Sequence, residues 1–214
     1  MSFSDYRNYT ATELETIFQI NIVAEGDLFT DFIASGNTYP ELQARADAME
    51  ARLSISADAS NEATRGSLLV SHTLWEAVAD YHLGIFFEPP VELNIEDTPH
   101  LPHPLNGKYD CGINLNPIDF VAPIIAVVEV KPTHIASGLG QCVAEMYATI
   151  TKFQQRKVYG IITDGEVWKF LCLESSTLTI DKKGYYISHV ADIVDRVGYI
   201  ANTFRAASYP VITS

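Results

Sequence analysis

The spacing of apolar residues divides the chain near Gly84. Before that point they recur every three to four positions, the period of a helix packed on one side. In "PELQARADAMEARL" Leu42, Ala46, Met49 and Leu53 stand four, three and four apart, which predicts an amphipathic helix. "TATELETIF" offers a capping box for an earlier helix, from Thr12 with Glu15 or from Thr10 with Glu13. "SADASN" (Ser56 to Asn61) reads as a linker. "EATRGSLLVSHTLWEAVADY" predicts a further helix, with Leu68, Leu69, His72, Trp75, Val78 and Ala79 near one stripe.

After Gly84 the pattern becomes that of strands. "IFFEPPVELNI" is extended, and Pro89-Pro90 suits an edge strand or a broken one. "DTPHLPHPLNG" is a proline-rich loop, and "KYDCGINL" is short and strand-like. "APIIAVVEVK" lacks alternation and is rich in Val and Ile, the signature of a strand buried on both faces. "SGLGQCVAEMYATITKF" is a helix with Leu139, Cys142, Val143, Met146, Ile150 and Phe153 along its apolar stripe. "KVYGIITDGEVWKFLCLE" is a hairpin turning at Asp164-Gly165, and "TLTIDKKGYYI" suggests another. "VADIVDRVGYIANTF" closes as a helix, with Ile193, Val197, Ile200 and Phe204 in register. This order predicts an α/β (α+β) domain with a mixed sheet. The helix after "APIIAVVEVK" suits a crossover between parallel strands. Residues 1–60 read as a helical extension packed on a core at 61–214.

Charge changes this picture more than composition does. The net charge is −13, and all of it falls in residues 1–100, which hold four Lys/Arg against seventeen Asp/Glu. Residues 101–214 are balanced, with ten of each. A broad basic face for a phosphate backbone is therefore not expected. Lys152, Arg156 and Lys157 could make a local basic patch, although cations at a helix end also suit the macrodipole. The acidic half could serve as a surface for a homodimer or a partner protein. Cys111, Cys142 and Cys172 lie far apart and form no CxxC, which suggests buried thiols in a reducing compartment. "MSFSDYRNYT" lacks the basic-then-apolar pattern of a signal peptide, and no apolar run approaches the ~20 residues of a membrane span. A soluble cytoplasmic protein is expected.

The candidate chemistry lies at the end of "IIAVVEVKPTH". Residues i and i+2 of a strand share a face, so Glu129 and Lys131 are neighbours at the C-terminal end of a central strand, where α/β sheets commonly open to ligands. Asp110 sits on the preceding short strand, and if these two strands pair, Asp110 and Glu129 can meet across the ladder. Two adjacent carboxylates repel unless a proton or a cation sits between them, and a divalent ion with oxygen ligands resolves that repulsion. Lys131 could then stabilise developing charge on a phosphate. On spacing alone, a strand-end salt bridge is the simpler reading of Glu129 and Lys131. Glu62 could equally be complementing the helix dipole, with Arg65 as partner. Gln141 falls opposite its helix's apolar stripe, facing either solvent or the site. His100 and His103 are loop residues, and "GLG" lacks the third glycine of a dinucleotide fingerprint.

Asp110, the "EVK" of Glu129 to Lys131 and the "GLGQC" helix opening with Gln141 resemble the PD-(D/E)XK, or restriction-endonuclease-like, superfamily. The span from about Asn61 to Glu174 is similar to a single-domain bacterial branch found in cyanobacteria, in its order of "SEAxR"-like helix, Asp, "VEVK", "GLGQCxAEM" helix and "xYGxxTxGxxWxFLxLE" hairpin. Tyr109 stands where the pattern has proline, and residues 1–60 are not covered. The resemblance implies a central mixed sheet of four or five strands flanked by helices. It implies Asp110, Glu129 and the Val130 backbone carbonyl as ligands of Mg2+ or Mn2+, with Glu62 as an outer carboxylate. Lys131 is implied as the charge-stabilising group and Gln141 as a site-organising side chain. The implied activity is metal-dependent phosphodiester hydrolysis, with DNA as substrate. The rivals are an inactive or regulatory binding module of the same fold and a phosphodiesterase acting on a small phosphate substrate.

Overall fold

The computed structural model describes residues 1–53 and 61–208. Of the expected linker, residues 56–60 lie outside the described residues. A 3-10 turn, Phe3–Tyr6, precedes α1 (Ala11–Phe18), β1 (Asn21–Gly26) and α2 (Pro40–Leu53). Then come α3 (Glu62–Arg65), a π-helical turn at Gly66–Val70 and α4 (Ser71–Tyr81). The strands β2 (Gly84–Phe87), β3 (Pro90–Leu93), β4 (Leu105–Lys108), β5 (Cys111–Asn114) and β6 (Ile124–Val130) come next. The chain continues through α5 (Leu139–Lys152), β7 (Lys157–Thr163), β8 (Val167–Glu174), β9 (Thr177–Asp181), β10 (Tyr185–Tyr186) and α6 (Val190–Ser208).

The result is an α/β architecture with a large mixed sheet flanked by helices. Its main path runs β1-β9-β8-β7-β6-β5-β2, with β10 also on β8. Strand β6 is buried along all seven residues, as its unbroken apolar run requires. It pairs antiparallel with β5 and parallel with β7, and α5 is the crossover. One face of the sheet packs under α2, α4 and α6, where Leu74, Val78, Ile193 and Val197 meet Val128 and Ile161. The other face packs under α5, α1 and the Phe3–Tyr6 turn, where Tyr6, Leu14, Val143 and Met146 meet Val127 and Ile162.

The structure departs from the sequence reading in four places. Among the described residues the sheet has eight strands rather than four or five. Residues 1–53 are not wholly helical, because β1 adds to the sheet edge beside β9. This short strand is largely solvent-facing and lies at the sheet edge, held by its parallel pairing with β9. "TLTIDKKGYYI" does not fold on itself. Its two halves each pair with β8, β9 along Leu171–Glu174 and β10 at Val167 and Trp168. Finally, the buried stripe approaching and along α4 is Leu69, Val70, Thr73, Leu74, Ala77 and Val78, and Trp75 is exposed. The π turn at Gly66–Val70 is wider than an α turn and rotates α4 away from the stripe read at a constant helical period. Pro89 and Pro90 break the expected strand into β2 and β3, and β3 pairs with β4 in a separate two-stranded sheet. Of the two capping boxes, Thr10 with Glu13 forms.

Gly140 ties the N-terminal turn to α5, since a Cβ there would overlap the Tyr6 carbonyl. Gly140→Ala is expected to cost about 1–3 kcal/mol, the usual range for overpacking against groups that cannot yield. Urea unfolding checks this, and an unchanged midpoint would contradict it.

Candidate active site

The antiparallel register Cys111↔Val128 brings Asp110, one residue before β5, level with Glu129. Successive backbone N–H groups of a strand point to opposite neighbours in the plane of the sheet. The Lys131 N–H accordingly donates to the Thr163 carbonyl on β7 (2.8 Å), and the Val130 N–H donates to Asp110 Oδ2 (2.7 Å). The Asp110 carboxylate thus takes the place of a main-chain acceptor and is held in line with the sheet at the C-terminal end of β6.

Glu129 is fully buried beneath the start of α5. Gly138 allows this close approach: a Cβ there would lie 3.3 Å from Lys131 Cγ, 3.4 Å from Glu129 Cγ and 2.7 Å from Ile162 Cγ2. Glu129 forms an ion pair with Lys131 through Oε1. Gln141, on the first turn of α5, points into the site. It donates from Nε2 to Glu129 Oε2 (2.8 Å) and to Glu145 Oε1 (3.2 Å), and accepts at Oε1 from Lys131 Nζ (3.2 Å).

Glu62 opens α3 behind the cap Asn61, whose side chain accepts from the Thr64 N–H. Arg65, considered above as a partner for Glu62, bonds Glu166 at 2.8 Å and the Asp164 carbonyl at 2.9 Å. Glu62 lines a cleft of about 290 Å3 together with Asp110, Glu88, Phe87, Ser67 and Val130. Asp110 therefore stands between this cleft and the buried group of Glu129, Lys131, Gln141 and Glu145. Lys152, Arg156 and Lys157 lie at the end of α5 and the beginning of β7, the opposite end of the parallel pair from Glu129. Trp168 is core.

Glu145 is the member that the sequence reading missed. It is fully buried within Val143, Ala144 and Met146, and a search for apolar stripes passes over it. The signal that could have found it is its position four residues after Gln141, which puts both side chains on one helix face.

Carboxylates outnumber cations here, and their proton affinities reflect it. Burial, and then the Asp110 charge, raise Glu129 from its ordinary 4.5 to about 7, against the opposing effect of Lys131. Burial, and then Glu129, push Glu145 well above the carboxylate range. Burial raises Asp110, assisted by Glu62 and Glu88 and opposed by the Val130 N–H and Lys131. Burial acts against the charge on Lys131, but Glu129, Glu62 and Asp110 outweigh it and raise its affinity for the proton.

Among the described residues no three His, Cys, Asp or Glu side chains cluster as a metal-holding set. The donor chemistry nonetheless fits a hard divalent cation with two side-chain carboxylates: Asp110 and Glu129 are level with each other, both have raised proton affinity, and one ammonium serves them. Cys111, Cys142 and Cys172 are free and buried. No helix among the described residues is long and apolar enough to cross a membrane. Comparison with protein-family models finds no match to this chain, and comparison with curated proteins finds none either.

Glu129, Asp110 and Glu145 hold their protons more tightly folded than unfolded. For Glu129 the resulting stability is fully present below about 4.5 and is lost as pH rises through about 7. Thermal melts between pH 5 and 8 should show Tm falling across this window, and Glu129→Gln should make the fall shallower. A Tm that rises with pH, or the same slope in the variant, would contradict the assignment.

Proposed function

We propose that this chain is a divalent-cation-dependent phosphodiesterase with a restriction-endonuclease-like core, acting on DNA. The observation that supports the reading best is the convergence of Asp110, Glu129 and Lys131 at the C-terminal end of β6, with more carboxylate than Lys131 can neutralise. The β5-β6-α5-β7 arrangement that presents these side chains is the part of the fold the reading uses.

Asp110, Glu129 and the Val130 backbone carbonyl would hold Mg2+ or Mn2+, with Glu62 on the cleft side. The bound ion would act as a Lewis acid on the phosphoryl oxygens and lower the pKa of water. The chain's own residues divide the remaining work. Asp110 sets its carboxylate against β6 through the Val130 N–H. Gln141 holds Glu129 and Lys131 in fixed relation, so that little reorganisation is needed when charge develops on a phosphate. Lys131 keeps its proton because of the surrounding carboxylates, and supplies positive charge at the reacting phosphate.

A second reading is favoured by the cleft itself. Among the described residues no lysine or arginine lines it, whereas Glu62, Glu88 and Asp110 do. A small phosphodiester needs no basic groove.

Cleavage of supercoiled plasmid with Mg2+ or Mn2+ tests the first reading. Asp110→Asn and Lys131→Ala should each lower the rate about 100-fold or more, comparable to losing an electrostatic stabiliser of the transition state. Equal activity in Lys131→Ala would remove its assigned role. Hydrolysis of bis(p-nitrophenyl) phosphate without plasmid cleavage would favour the second reading, and neither activity would overturn both.

A further inference from the structure

Gln141 is the only side chain bonded to Lys131, Glu129 and Glu145 together among the described residues. Its amide has one donating and one accepting end, and rotation by half a turn exchanges them. Glu129 Oε2 and Lys131 Nζ set the orientation, one accepting from Nε2 and the other donating to Oε1. Glu145 Oε1 adds a second acceptor on the side of Nε2. Reversing the amide would set the Gln141 oxygen against two carboxyl groups and turn its NH2 toward an ammonium. Glu145 thereby strengthens the orientation in which Gln141 Oε1 receives Lys131 Nζ.

We propose that Glu145 is a positioning residue, acting through the Gln141 amide to aim Lys131 and Glu129 at the phosphate. This rests on the phosphodiesterase reading above. Stability alone gives a poor reason for a carboxyl at this place. Glu145 is fully buried beside another carboxyl, Glu129, and burial penalises a second carboxyl there, a cost that an apolar side chain of similar volume would not carry. Its backbone is secured independently, because the Thr149 hydroxyl donates to the Glu145 carbonyl (2.7 Å) and is itself bonded to Tyr109 OH (2.7 Å).

Glu145→Leu and Glu145→Gln separate positioning from structure. Leucine removes the acceptor and should leave Tm unchanged or raised, while kcat for plasmid cleavage falls about tenfold or more and KM stays constant. Glutamine retains an oxygen that can accept from Gln141 Nε2, and should recover kcat to within a few fold of wild type. Wild-type kcat in Glu145→Leu would overturn the proposal. Equal loss in Glu145→Gln would also overturn it, because the carboxyl itself would then be required. Side-chain amide NMR of Gln141 gives a readout independent of turnover. A high order parameter at Gln141 Nε2 is expected in wild type and Glu145→Gln, and a lowered one in Glu145→Leu. A low order parameter in wild type would overturn the proposal even if the leucine variant did not fold. A high order parameter in a wild type that cleaves nothing would sustain the positioning and sink only the phosphodiesterase reading.

Discussion

The arrangement depends on keeping Glu129 out of water. A carboxylate removed from solvent must find a cation, a proton or strong donors. Around Glu129 all three are present in part: Lys131 on its own strand, the Gln141 amide above it, and a raised affinity for the proton. None of them fully discharges the group, because Asp110 adds further negative charge at the same place, while Glu145 keeps its proton and is neutral. Glu129 is therefore left with a proton affinity raised to about 7 despite its ion pair with Lys131.

The fold serves this constraint through close approach. Strand β6 is central and buried, so its C-terminal end can be covered only by an element that comes down on it closely. The crossover α5 does so through Gly138, and the N-terminal turn seals α5 from the other side at Gly140. The "GLG" at the entry of α5 is a packing device in this chain. Once Gly138 has lowered the helix, Gln141 and Glu145 lie on one face and reach the strand. On the opposite side of Asp110 a cleft opens, lined by Glu62, Glu88 and Val130.

Much of this was legible in the sequence where the signal is a covalent neighbourhood. The all-apolar run gave β6, the 3.6 period gave α5, and the turn residues Asp164-Gly165 gave the β7-β8 hairpin. Asp110, Glu129, Lys131, Glu62 and Gln141 could be named as candidates, and the structure brings the first three and Gln141 to one strand end, with Glu62 across the adjacent cleft. What escaped depends on tertiary context. Strand β1 is an edge, mostly solvent-facing, and is held in place by pairing with β9. The π turn shifts the phase of the stripe by a backbone adjustment that residue spacing does not reveal, and so Trp75 was placed inside when it lies outside. Glu145 was hidden because a charged letter in an apolar helix run is ordinarily assigned to the solvent side, whereas here its partners come from another element.

Calorimetric titration with Mn2+ tests most directly whether Asp110 and Glu129 form a cation site. Wild type should bind the ion, and both Asp110→Asn and Glu129→Gln should abolish or greatly weaken binding while still folding. Absence of binding to folded wild type, or binding unchanged in both variants, would contradict the assignment.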